Sequence, residues 1–97
     1  MSALLNKARG EVSLVVDGRA RRLCLTLGAL AELEGAFDCH GFAELGARLS
    51  TLSAADALLV IAALSAGGGE AISSAALSAA RIDPREAIEA IGAAFRD

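Results

Sequence analysis

Aromatic residues are scarce in this sequence: three phenylalanines, with neither tryptophan nor tyrosine, in 97 residues. The apolar share still reaches 55%. Much of it is thin, because 23 residues are alanine. Alanine lets helices approach closely, but each buried methyl contributes less than a leucine or phenylalanine would. A chain of this length holds a modest core in any case. The composition describes one small, marginally stable domain that gains from a partner.

Cysteine and histidine are equally few. Cys24 and Cys39 are too few for a disulfide scaffold, and free thiols in a reducing cytoplasm are the expectation. Cys39-His40 is the one place where thiol and imidazole adjoin. A metal site needs three or four ligands, and no second Cys/His pair exists. Adjacency in sequence does not supply the geometry of a nucleophilic Cys–His pair either. The longest apolar run, Ala57 to Leu64, is far short of the roughly 18–20 residues that span a bilayer. No signal peptide precedes the domain, so a cytoplasmic protein with no membrane partner is expected.

Other chemistry is missing too. Glu32 and Glu34 stand two apart on a helical segment and point in different directions. Glu86 and Glu89 are helix neighbours on a solvated face. The run "AGGGEAIS" lacks the Gly-Lys-Ser/Thr ending of a phosphate loop and reads as a flexible linker. No enzymatic site, cofactor or metal is expected.

A broad basic face is also absent. The formal net charge is −3, split between a basic amino-terminal stretch and an acidic remainder. The cluster Arg19, Arg21 and Arg22 reads as a charged strand edge that discourages edge-to-edge pairing. Overall acidity argues against nucleic acid. A helix-turn-helix reading of the segments 54–66 and 74–81 fails on its long connection and on Arg81 as the one candidate base contact.

The organisation that is present is mostly helical. After a loose leader over 1–9, "EVSLVVDGRARRLCLTL" places two β-rich runs around Asp17-Gly18, the signature of a short hairpin turn. Val12, Leu14 and Val16 alternate, as do Leu23, Leu25 and Leu27. A strict two-residue turn sets Leu14 opposite Arg21, an awkward pairing that a longer loop or a bulge would correct. Thr26 is the expected N-cap of the next helix, where Leu27, Leu30, Leu33 and Phe37 recur at helical spacing. Gly28 and Gly35 each weaken that helix by about 1 kcal/mol relative to alanine, which points to close packing or a partner.

Helices then follow over about 42–49, 54–66, 74–81 and 84–96. Phe42, Leu45 and Leu49 form one stripe; Ile88, Ile91 and Phe95 form another. Ser53 with Asp56 resembles a capping box, Ser73 or Ser74 opens the fourth helix, and Asp83-Pro84 opens the last. The third helix is apolar almost all round and requires cover on more than one side. That cover comes from the domain itself, from a second copy, or from a client. The expected fold is α+β: one hairpin and four to five short helices in a single small domain over 10–97.

The stretch "RGEVSLVVDGRARRLCLTLGALAELEGAF", with "GFAELGARL" and "LSAADALLVIAALSAGGG" after it, resembles the small tail assembly chaperone-like proteins of gene transfer agents and related long-tailed phages. Members of that group also carry the label tail tube protein. The resemblance implies a non-enzymatic partner of the tape measure protein, keeping its apolar helical segments soluble until tube subunits polymerise around it. On that reading Leu30, Leu33, Phe37, Leu59 and Ile61 are core or client-facing residues. The expected partners are tape measure protein, tail tube protein or further copies of the chain. The rival reading is a structural tail component, such as a tail tube or connector subunit, which would be expected to bring more sheet than one hairpin.

Overall fold

Asp17 and Gly18 turn the chain with positive φ at both positions, 53° and 78°, the geometry that matches the twist of two antiparallel strands. The computed structural model describes residues 10–96; the leader expected over 1–9 lies outside them. Strand β1 (Glu11–Val16) pairs antiparallel with β2 (Arg19–Cys24). Five helices follow: α1 (Leu27–Phe37), α2 (Phe42–Leu49), α3 (Ala54–Gly67), α4 (Ser74–Ala79) and α5 (Pro84–Arg96). The fold is α+β and mostly helical.

The register runs from Val16 opposite Arg19 to Glu11 opposite Cys24, so Leu14 does face Arg21. No bulge or longer loop corrects the pairing that looked awkward in the sequence. Arg21 stays partly buried there: its Nη1 reaches to 3.6 Å from Glu70 Oε1, while its Nε is buried without a hydrogen-bond partner among the described residues. Long basic side chains commonly bury the stem and wet the head. Leu14, Val16 and Leu23 are buried on the covered face, with α5 against β1 and α3 against β2.

Local capping accounts for most helix starts. Thr26 accepts a hydrogen bond from the Ala29 amide at 3.1 Å. Ser53 and Asp56 form both arms of a capping box. Ser73 accepts from Ala76 N at 3.1 Å, and Asp83 Oδ1 accepts from Arg85 N at 2.8 Å. Each satisfies an amide that the first helical turn leaves free. Helix α4 ends at Ala79, before the expected 81, because Ala80 is extended and the Arg81 amide donates to Asp17 Oδ1.

Helix α3 is the centre of the core. It packs against α1, α4, α5 and β2, and Val60, Ile61, Ala63, Leu64 and Ser65 on it are buried. Its cover therefore comes from the domain itself. It continues through Gly67, and its glycines serve more than one purpose. A Cβ at Gly67 would collide with the Cys24 carbonyl oxygen, and one at Gly68 with that of Arg22. Only Gly69 uses a positive φ, 97°. The following loop is not a loose linker: Ser65 Oγ accepts from Ile72 N at 2.9 Å and donates to Ala62 O at 2.7 Å.

Candidate protein-binding surface

Helix α2 is short, and few contacts hold it. Gly41, with φ 90°, turns the chain into it. Leu45 is its one fully buried side chain. At its far end the Arg48 guanidinium lies 4.9 Å from the centre of the Phe37 ring and donates to Asp56 Oδ2 at 2.8 Å. A cation over an aromatic face is attracted by the ring quadrupole. That hydrogen bond, with a second one from the Ser53 backbone, holds the Asp56 carboxyl below its usual range.

Helix α5 lies across from α2, buried through Ala87, Ala90, Ile91 and Ala94. The two helices meet where Phe42 approaches Phe95, with ring centres 6.2 Å apart and planes tilted by 38°. Elsewhere they leave an open apolar groove of about 870 Å³. Phe42 and Leu49 form one wall, Ile88 and Phe95 the other, with Ile91 and Leu52 between them. Gly46 and Gly92 also line it; a Cβ at Gly46 would meet nothing within 4 Å, whereas one at Gly92 would lie 3.2 Å from Nη1 of Arg96, which borders the groove too. A smaller groove of about 360 Å³ beside α3, α4 and α5 shares Leu52 and Ile88 with it.

Phe42 is 54% exposed and Ile88 is 55% exposed. Apolar concavities with unpartnered helix faces are where proteins receive apolar ligands or amphipathic helices. Helix α1 adds a projection: Leu27, its first residue, is 82% exposed.

The residues singled out from the sequence fall in different places. Leu33 and Ile61 are buried in the core, and Leu30 and Phe37 pack partly buried against it. Leu59 is 39% exposed on α3. None of the five lines the larger groove; Ile61 reaches the smaller one. Phe42, Ile88 and Leu27 were missed as surface residues. The signal for Phe42 and Ile88 was the pair of apolar stripes on α2 and α5, each interrupted by a glycine; Leu27, on α1, had none.

Around the α1–α2 turn, Cys39 is buried and its thiol donates to Phe37 O at 3.5 Å. The exposed His40 donates through its backbone amide to Glu44 Oε1. Among the described residues no group of three His, Cys, Asp or Glu side chains could hold a metal ion. Nor is any described helix long and apolar enough to cross a membrane.

Residues 9–96 match the family described as phage tail tube protein, GTA-gp10. The chain belongs to that family. The match covers the hairpin and all five helices, including both walls of the groove, and it bears out the gene transfer agent and phage tail resemblance. The family's description names a tail tube protein, which favours the structural tail component over the chaperone. No curated protein and no solved structure gives a significant match.

Proposed function

We propose that this chain is a structural component of a phage-like tail, a tail tube or connector subunit of a gene transfer agent type particle. It acts through protein–protein contact, without catalysis. The observation that carries the reading is the family match over nearly the whole chain. The open groove between α2 and α5 gives such a subunit an apolar surface for a neighbour, and Leu59 is a further candidate contact. Mass spectrometry of purified particles tests this. The chain is expected in the finished particle in copy numbers comparable to other tail proteins. Its presence in producing cells but absence from particles would overturn the reading.

A second reading, the tail assembly chaperone, is favoured by one structural observation. The described sheet is a single hairpin of two six-residue strands, little material for a wall built from sheet. A chaperone would use the groove for a helical segment of the tape measure protein and leave before completion. Co-expression with tape measure fragments should then raise their solubility and yield a co-purifying complex.

A further inference from the structure

One edge of the hairpin is covered and the other is open, and we infer that the open edge receives an extended segment of a different protein as a third strand. This site is separate from the α2–α5 groove and goes beyond the tail-component reading. The turn decides which main-chain groups face outward. In a two-residue turn the residue before it accepts a hydrogen bond from the residue after it, and bonded pairs then alternate with non-bonded ones. With Val16 opposite Arg19, the bonded pairs are Val16–Arg19, Leu14–Arg21 and Val12–Leu23. The main-chain groups of Ser13 and Val15 therefore point away from β2, and those of Ala20, Arg22 and Cys24 point away from β1.

The β2 edge is covered. Gly67 and Gly68 sit so close to the Cys24 and Arg22 carbonyl oxygens that no side chain fits between, and Cys24 O also accepts from Thr26 N at 3.1 Å. Arg19, Arg21 and Arg22 thus stand on the covered strand. The β1 edge is engaged at its turn end, where Asp17 N donates to Arg81 O. Beyond that point Ser13 and Val15 are exposed, Val15 at 44%. Among the described residues no hydrogen bond outside the hairpin ladder reaches their main chain. Nor does β1 carry the lysine, proline or bulge that commonly blocks a free edge. Amides and carbonyls left at strand spacing are matched by another extended backbone.

A second copy is a poor occupant. Its own β2 edge is covered in the same way, so it offers β1 alone. Each antiparallel register of β1 on β1 then carries a mismatch. Ser13 against Ser13 sets Glu11 against Val15 twice, and Ser13 against Val15 sets Glu11 against Asp17, two like charges. Val15 against Val15 brings in Asp17, whose φ of 53° ends the strand and whose amide is taken by Arg81. The side-chain rows describe a different partner. Ala20 stands opposite Val15 and Arg22 opposite Ser13, and Arg22 has no ion-pair partner among the described residues. An incoming strand extends both rows with an apolar residue beside Val15 and an acidic one beside the short Ser13 side chain. Glu11 follows on the same face and favours a basic or uncharged residue next in the row.

Photo-cross-linking in particle-producing cells tests the site, with Val15→p-benzoylphenylalanine as the probe and mass spectrometry of the joined peptides as the readout. The expected product joins position 15 to an alternating apolar and charged segment of another protein. A synthetic peptide of that segment is then titrated into the purified chain. In the complex the Ser13 and Val15 amides should exchange with deuterium at least about tenfold more slowly, while those of Ala20 and Arg22 keep their rates. Val15→Pro removes one outward amide and leaves the ladder to β2 intact, so binding should weaken about tenfold. Val15→Thr keeps that amide and the branched shape and should bind as the wild type does; circular dichroism checks that both variants fold. A cross-link to a second copy or to residues 1–9, no cross-link at all, or a bound peptide that leaves Ser13 and Val15 exchange unchanged would each overturn the inference. If particles contain the chain while position 15 captures nothing, the strand site fails and the tail-component reading stands. If particles lack the chain, that reading fails, and the cross-link in producing cells still decides the strand site.

Discussion

Asp17 and Arg81, 64 positions apart, clasp each other through two hydrogen bonds. The Asp17 amide donates to Arg81 O at 3.0 Å, and the Arg81 amide donates to Asp17 Oδ1 at 2.8 Å. The hairpin turn is thereby tied to the link between α4 and α5. Asp17 holds this position with a φ of 53°, in the left-handed region that aspartate and asparagine tolerate better than other side chains.

Removing the carboxylate tests the clasp. Asp17→Ala loses the acceptor and adds backbone strain, so a loss of about 1–3 kcal/mol is expected in urea unfolding. Asp17→Asn retains both a carbonyl acceptor and tolerance of the left-handed region. It should lose less than half as much.

The Asp56 carboxyl joins the start of α3 to α2. Its hydrogen bond to Arg48, then that to Ser53, lowers its pKa from the usual 3.8. A group whose folded value is depressed stabilises the fold above its unfolded value, and that contribution drains as pH falls through the folded value. Unfolding midpoints should therefore drop as the solution is acidified below about pH 4. In Asp56→Asn that part of the acid dependence should vanish, and the stability near neutral pH should be lower throughout.

Glycines of this chain respond to alanine in opposite directions. Gly67→Ala and Gly68→Ala would drive a methyl into the carbonyls of Cys24 and Arg22. Backbone cannot yield as a side chain tip does, so a loss at or above about 3 kcal/mol is expected. Gly35 sits inside α1, and a methyl added there would meet nothing within 4 Å. Gly35→Ala should stabilise the chain by about 0.5–1 kcal/mol. Thermal unfolding of the three variants separates the two cases.

Leucine and isoleucine truncations sort the candidates drawn from the sequence. Leu33 and Ile61 are 1% and 2% exposed, and Leu33→Ala and Ile61→Ala should each cost about 2–5 kcal/mol. Leu59 keeps 39% exposure, and Leu59→Ala should cost less than about 1 kcal/mol. Equal losses at all three sites would show that Leu59 is more tightly packed than its exposure implies.

The order of elements was readable along the chain because its causes act over a few residues. Asp17-Gly18 specifies its turn through backbone preferences of those two residues, and Thr26, Ser53, Ser73 and Asp83 each satisfy an amide two or three positions ahead. The apolar stripes of α1, α2 and α5 follow from helical periodicity in the same way. The strand register was not readable in the same way: Leu14 against Arg21 pointed to a longer loop or a bulge, and only the folded hairpin shows that the two-residue turn sets that pairing unaltered.

Which apolar side chains stay wet was settled by contacts between distant segments. Leu33 and Leu27 occupy the same kind of position in a helical pattern, yet one is sealed by α3 and the other projects past the helix end. The stripes of α2 and α5 look like core until the two axes are placed, with Gly46 leaving the space above α2 open. Local propensity sets a backbone conformation within a turn or two. Burial depends on the separation of surfaces brought together from far apart in the chain, and that separation appears only once every helix has a place.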